Sequence, residues 1–443
     1  MQERYRHRRT ADEVRRCKKA LRPLWKEHDW EAFGYARTPA LASLCVPEID
    51  GVRSLPIPRL RHADITVEDF FCQYAVPRRP CIIEGALHAW PALKHWEPEQ
   101  LLDRIRHILV PVGQAAKTGG RVRLKYKYFM DYMKNQQDDS PMQVLEARLE
   151  MDDTLYTLLD DFAVPDFFPH DFLSLMNPYR RPPHRWWELG PKRSGTRVGA
   201  DPVGQAFWTA LTHGRKRWVL FEPGTPESIV RGRDVLSNAA QYQDAMPYFC
   251  AALPHIKSHY SLLRVHETVQ GPGDLLFVPG EWWHGSLNLE DTASISQVYC
   301  GLDNFDVVWS YTATLHKKLA QYWWRNLMKF APELHKRAAE LNQTRGISLL
   351  QDARAGNSTA RGSTSMESSS DGEADLDLSR LPKSAPALVP PWVEKAAAVL
   401  PTSPPQPAEA PQPPCTAPPE LATLPDEVLQ ADNWPDVAPG GAR

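Results

Sequence analysis

The sequence has no CxxC pair, no long apolar run and no hydrophobic segment near its N-terminus. Its seven cysteines, Cys17, Cys45, Cys72, Cys81, Cys250, Cys300 and Cys415, stand apart from one another. That spacing excludes a zinc ribbon or a disulfide framework and reads as single reduced thiols of an intracellular protein. The first residues carry charge without an apolar stretch of about 7–15 residues, so no secretory signal is expected. No run approaches the roughly 18 apolar residues of a membrane span, so no membrane partner is expected either. A charge excess of one sign is also missing: 52 Lys and Arg against 54 Asp and Glu leave a formal net charge of −2.

What charge there is lies unevenly. The first 28 residues are mostly basic (Arg4, Arg6, Arg8, Arg9, Arg15, Arg16, Lys18, Lys19), and 367–377 is acidic and Ser-rich. The basic stretch reads as a helix ending in the aromatic segment Trp25 to Trp30. Such a stretch serves nuclear import or nucleic-acid binding, or is simply a solvated helix face. At 443 residues, the chain is long enough for about two or three units. Helical patterns flank a short strand-like run, CIIEGA, between 66 and 107. Residues 121–134 alternate and then turn amphipathic, and 154–176 look helical with Pro165 and Pro169 as interruptions. After 184 the chain breaks into short runs rich in aromatic and β-branched residues, separated by Gly and Pro, the pattern of an antiparallel barrel or sandwich. The helical period returns over 307–342. Beyond 350 the Ser/acidic and then Pro-rich composition cannot bury enough apolar surface to offset chain entropy, which predicts disorder. LPDEVLQ at 424–430 is the one heptad there with the pattern of a short docking helix. The expected segments are a basic helical segment (1–65), a barrel with helical support (66–306), a helical segment (307–349) and the disordered tail (350–443).

The passage that carries most chemistry is GDLLFVPGEWWHGSLNLE, residues 273–290. Two strands are joined at Pro279-Gly280, and the second presents His284 after two tryptophans. A histidine in an apolar strand is ordinarily a satisfied core residue. Here an acidic residue, Asp201, stands about 80 residues earlier in GTRVGADPVGQAFW. A non-haem Fe(II) oxygenase needs two histidines and one carboxylate on one face of the metal, leaving the other face open. A barrel supplies them from an H-x-D turn at one strand's end and a distal His on a later strand.

GTRVGADPVGQAFWTALTHGRKRWVLFEPGTPE, FVPGEWWHGSLNLE and DNFDVVW resemble the JmjC-domain Fe(II)/2-oxoglutarate oxygenases. Within them the likeness is to the bifunctional arginine demethylase and lysyl-hydroxylase subfamily. It extends through KYKYFMDYM, DDSP, LLDDFAVPDFF and RRPPHRWWELGPKRSGT and covers roughly residues 10–345. The resemblance implies a mainly β protein with flanking helices, built on a double-stranded β-helix (cupin or jelly-roll) core. It implies Fe(II) held by Asp201 and His284, with 2-oxoglutarate as co-substrate anchored by Lys216 and contacted by Thr196 and Tyr128. The chemistry implied is hydroxylation or demethylation of a protein side chain, in histones or RNA-splicing proteins. A nuclear location, with the cytoplasm second, goes with it. RNA binding through the basic N-terminus and a homodimer through the C-terminal helices are expected as well.

The sequence also departs from that pattern. Where the family has H-x-D, this chain has Gly199-Ala200-Asp201, so the first metal histidine is replaced by a residue without a side chain. Thr209 and Val298 stand where the relative has asparagines, and Val298 puts an apolar group near the metal. His184 and His213 are the histidines near enough in sequence to be considered as replacements. Two readings follow: an oxygenase with an incomplete triad, or a JmjC barrel that has lost oxidation and serves as a nuclear protein- or RNA-binding scaffold. The composition of the tail makes one prediction of its own. A chain ending near 348 should melt at the temperature of the full chain, and a clear drop on truncation would show that the tail docks on the folded part.

Overall fold

The computed structural model describes residues 2–37, 44, 47, 49–113, 122–177, 180–236 and 244–349. The tail expected to be disordered over 350–443, the heptad at 424–430, Cys45 and Cys415 lie outside the described residues. The remaining five cysteines are free thiols.

Fourteen strands are described: β1 Ser54–Pro56, β2 Arg59–Arg61, β3 Cys81–Glu84, β4 Leu109–Pro111, β5 Arg123–Lys125, β6 Val144–Glu146 and β7 Arg185–Gly190, then β8 Gly195–Gly199, β9 Ala206–His213, β10 Lys216–Phe221, β11 Val265–Gln270, β12 Leu275–Val278, β13 Trp283–Asn288 and β14 Thr292–Tyr299. Strands β7 to β10 lead in and β11 to β14 return. β7 pairs with β14, β8 with β13, β9 with β12 and β10 with β11, all antiparallel. Apart from β10 and β11, which share a sheet, successive strands of this set fall alternately in two sheets. One has the order β2-β3-β12-β9-β14-β7-β6 and the other β1-β11-β10-β13-β8. This nested winding is the double-stranded β-helix that the motifs implied.

The strands are buried on both sides, and the side-chain alternation of a strand sorts their residues between two environments. Phe207, Leu276, Val278, Trp218, Leu220 and Val298 meet inside the barrel. Their neighbours Trp208, Ala210, Leu275, Phe277 and Ile295 face a second cluster, formed with Trp96, Phe129 and Phe168 of the preceding helical region. On the smaller sheet, Val219, Phe221 and Leu287 pack on Met246, Phe249 and Ile256. The apolar run of β9 is therefore continuous because both of its faces are covered.

The N-terminal helix Gln2–Leu21 buries Cys17, and Lys18 makes an ion pair with Asp138 while Arg22 makes one with Asp244. Part of the basic run is thus structural. The helical expectation for 154–176 is corrected: only Asp153–Tyr156 is α-helical, followed by 3-10 turns at Thr157–Asp161 and Phe172–Leu175. Pro165 and Pro169 remove the N–H groups that a continuous helix would need.

The chain divides at Val308/Trp309. The helical stretch at the C-terminal end is broken at His316 and Ala331, between helices Phe305–Leu315, Lys317–Phe330 and Pro332–Thr344. Trp309 packs on Trp323 with ring centroids 5.4 Å apart and donates from Nε1 to Asn342 Oδ1 at 2.9 Å.

One buried ionic cluster ties β1, β10, β11 and the helix Leu253–His259 together. Glu267, fully buried, accepts from Ser54 Oγ at 2.7 Å and from Lys257 Nζ at 2.8 Å, and it pairs with Arg217. Burial by itself would raise the Glu267 pKa; Arg217, Lys257 and Ser54 outweigh it and hold the carboxyl below its ordinary value. A depressed folded-state pKa gives stability that is present above the unfolded value, about 4.3, and lost as the pH falls through the folded one. Glu267→Ala should therefore cost about 3–5 kcal/mol at neutral pH, because it takes the carboxylate from the buried Arg217. Denaturant titration should find this difference narrowing below about pH 4.3; a cost that does not vary with pH would show that packing rather than charge carries it.

Candidate functional site

His284 and Gly199 face each other as register partners of β13 and β8. The register slips between His284 and Ser286, so two residues of β8, Arg197 and Val198, oppose one of β13, Gly285. Such a bulge re-aims side chains. Here it turns Thr196 toward the interior, where its hydroxyl meets Ser286 Oγ at 2.9 Å, and leaves Val198 on the outer cluster. Asp201 follows two residues after β8. Its Oδ1 accepts from the backbone N–H groups of Val203 at 3.0 Å and Gln205 at 2.9 Å, which fixes the carboxylate at the head of the turn.

That turn and the Pro279-Gly280 turn before His284 are in backbone contact. A Cβ on Gly280 would lie 2.1 Å from the carbonyl oxygen of Gly204, itself at φ +72°. Glu281 and Arg78 both occupy the left-handed region, at φ 68° and 55°, a conformation that costs a non-glycine residue of order 1–3 kcal/mol. They hold each other through an ion pair at 2.7 Å, and Trp282 Nε1 donates to the Arg78 carbonyl at 3.1 Å. The approach to His284 is thereby fixed on both sides.

His284 Nδ1 lies 3.1 Å from the Trp282 carbonyl, so Nδ1 carries the proton and Nε2 the lone pair. Its ring packs on Phe207, centroids 4.6 Å apart. Burial lowers its pKa, opposed by the Trp282 carbonyl and by the charge of Glu188. Burial also pushes Asp201 up to about 6, against the backbone bonds from Gln205, Val203 and Gly204. A neutral imidazole with a free Nε2 and a carboxylate are two donors of the kind a metal takes. Gly199, the register partner of His284, offers no donor. Among the described residues no group of three or more His, Cys, Asp or Glu is placed to hold a metal ion. His213 ends β9, whereas Asp201 precedes its start, and His184 does not complete the set. The donors present do not fit a three-ligand iron centre.

Further into the barrel, Lys216 pairs in register with Asn288, four positions from the Leu220–His284 pair, or about 13 Å along the strand. Its Nζ donates to Glu188 Oε2 at 2.9 Å and lies 3.2 Å from Ser294 Oγ. Ser296 Oγ donates to Glu188 Oε1 at 2.8 Å and lies 2.9 Å from Thr209 Oγ1. Thr209 is thus joined to Lys216 through two side chains. Val298 sits in the apolar interior beside Phe207 and Trp218. Tyr128 lies in the cluster over the larger sheet and is not among the side chains that these hydrogen bonds join. Sequence reasoning missed Glu188, Ser294 and Ser296. A lone acid inside the apolar strand RWWELG was the available signal, since such a charge needs a buried partner.

Gly199 differs from the glycines around it: a Cβ placed there meets nothing within 4 Å. Packing does not require a glycine at 199. Gly199→Ala should leave stability within about 0.5 kcal/mol, whereas Gly280→Ala should lose about 1–3 kcal/mol by overpacking. Gly199→His should fold like wild type and tighten Mn(II) binding by about tenfold or more in calorimetry. No gain in affinity would mean that the position does not face the metal donors.

The cupin-like domain family matches residues 67–329. The bifunctional arginine demethylase and lysyl-hydroxylase psr-1 of Caenorhabditis elegans is 33% identical over 338 residues, covering 75% of this chain and 81% of the relative. Its namesake in Caenorhabditis briggsae is 32% identical over 342 residues, with 75% and 82% covered. The 2-oxoglutarate and iron-dependent oxygenase JMJD4 of Gallus gallus is 26% identical over 270 residues, with 56% and 60% covered. Together with the nested barrel, these likenesses place the chain: it belongs to the cupin-like family, in its JmjC oxygenase branch.

Proposed function

We propose that this chain is a JmjC barrel whose oxygenase centre has lapsed and which acts as a protein-binding module. The observation that carries this reading is the corner opposite His284, where Gly199 leaves a carboxylate and one imidazole as the donors. Losing even an outer partner of a metal ligand typically costs 10–100-fold, and losing the ligand itself should cost more. The changes at Thr209 and Val298 support the same reading. Iron and 2-oxoglutarate are named for the JMJD4 relatives, and this barrel would take both only weakly.

The names of the psr-1 relatives point to arginine and lysyl residues. The partner proposed is accordingly a protein presenting basic side chains, of the histone or RNA-splicing class, in the nucleus or secondarily the cytoplasm. Arg8, Arg9, Arg15 and Lys19 remain exposed on the N-terminal helix, which supports a role for it toward RNA or import. Self-association through the C-terminal helices belongs to the same proposal.

A second reading, a weak oxygenase, is favoured by the retained metal-ready tautomer of His284 and by the open space at Gly199. One assay separates the two. Wild-type protein with Fe(II), 2-oxoglutarate and a lysine- or methylarginine-containing peptide should release no succinate above the level of Asp201→Ala. Turnover should appear once Gly199→His, Thr209→Asn and Val298→Asn are combined with Glu188→Val, which frees the Lys216 ammonium. Robust, peptide-dependent succinate release by wild type that disappears with Asp201→Ala would overturn the lapsed reading.

A further inference from the structure

The cation expected to anchor a co-substrate is already spoken for. Lys216 is buried, its side chain 3% exposed, and its ammonium is held by Glu188 at 2.9 Å with Ser294 Oγ at 3.2 Å. Glu188 is itself fully engaged: one carboxylate oxygen faces Lys216 and the other accepts from Ser296 at 2.8 Å. Burial disfavours the charged carboxyl, yet Lys216 and the two serines outweigh that effect and keep its pKa below the ordinary value. Of the two partners, Glu188 is the more open, with 19% of its side chain exposed. Its charge is also felt at His284, so both belong to one electrostatic environment. The barrel interior therefore presents a carboxylate where a free ammonium would be needed.

We infer that Glu188 occupies on Lys216 the place of a ligand carboxylate, and that this internal pair sets the barrel against dicarboxylates such as 2-oxoglutarate. The inference rests on the assignment of Lys216 as the anchor position. A dicarboxylate entering this site has two routes. It displaces Glu188, leaving a carboxylate buried without its cation, or it shares Lys216 and sits beside a like charge. Removing the partner of a buried ion is strongly unfavourable, and carboxylates forced together disfavour each other's ionisation. Restoring a ligand at 199 would therefore not by itself restore the co-substrate. Glu188 acts as a specificity-determining residue of the barrel, separately from the metal corner.

The test uses the full chain without metal and reads binding, not turnover. In wild type, 2-oxoglutarate should bind no more tightly than pyruvate, because the second carboxylate finds no free cation. Glu188→Gln, which keeps the shape, and Glu188→Val should tighten 2-oxoglutarate by about tenfold or more, the scale of one hydrogen bond to a charged group. The gain should vanish when Lys216→Met is added to Glu188→Val. Glu188→Gln should also melt below wild type, and glutarate should raise its melting temperature more than it raises that of wild type. Two results would overturn the inference. One is a wild-type preference of about tenfold for 2-oxoglutarate over pyruvate that Lys216→Met abolishes. The other is cooperative melting of the Glu188 variants with no gain in affinity. The wild-type comparison stands even if the variants do not fold. Succinate release by wild type would sink the lapsed reading without bearing on the anion preference, so the two can fail separately.

Discussion

The antiparallel contact between β8 and β13 is the constraint on which the rest of the site depends. It sets Gly199 opposite His284, and its bulge brings Thr196 round to Ser286. The contact is unusually close. A Cβ at Gly195 would lie 2.1 Å from the Ser286 carbonyl, and one at Gly285 would lie 2.7 Å from a Val198 methyl. Small residues let the two backbones meet, and the turn at Gly280 against Gly204 extends that closeness to Asp201. Any side chain that prised these strands apart would move the histidine and the carboxylate together.

Much of this was legible in the sequence. The short aromatic and β-branched runs after 184 announced an antiparallel barrel, and the motifs around Asp201 and His284 resolved it into a double-stranded β-helix. Each run is buried along most of its length because one face meets the interior and the other the helical region, as with Phe207 and Trp208. The false helix at 154–176 has a simple origin: its apolar spacing is helical, but prolines break the ladder and the side chains pack from short turns instead. Gly199 was singled out from the motif, and the strands set it opposite His284. The pairing of Lys216 with Glu188 was not, because the two lie 28 positions apart and meet only when β7 and β10 enter opposite sheets of the barrel.

The interior polar groups satisfy one another. Lys216, Glu188, Ser294, Ser296 and Thr209 form one connected set, while Trp218 donates to Gln270, which in turn donates to the Thr209 and Asp274 carbonyls. A barrel that awaits a charged ligand must leave donors and cations unpaired, a source of instability in the resting state. Here that tension is largely resolved from within, and the polar interior serves as core. Asp201, His284 and Asn288 depart from this: the first is a carboxylate held by backbone N–H groups with its pKa pushed up to about 6, the second keeps a free Nε2, and the third has a buried Oδ1 without a partner.

The empty space over Gly199 bears on the order in which such a centre can be lost and regained. No backbone or side chain has closed over the position, so a single substitution introduces an imidazole there without disturbing its neighbours. The acid at 188 is different, since it is woven into three side-chain contacts. With Gly199 and Glu188 both present, a variant that gains a histidine at 199 first adds a metal donor but no better grip on a dicarboxylate. One that recovers an open lysine first inherits a buried, unpaired cation. On the proposed reading, each step is unrewarded until the other is made, and the barrel is held in its present form by Gly199 and Glu188 together rather than by either one.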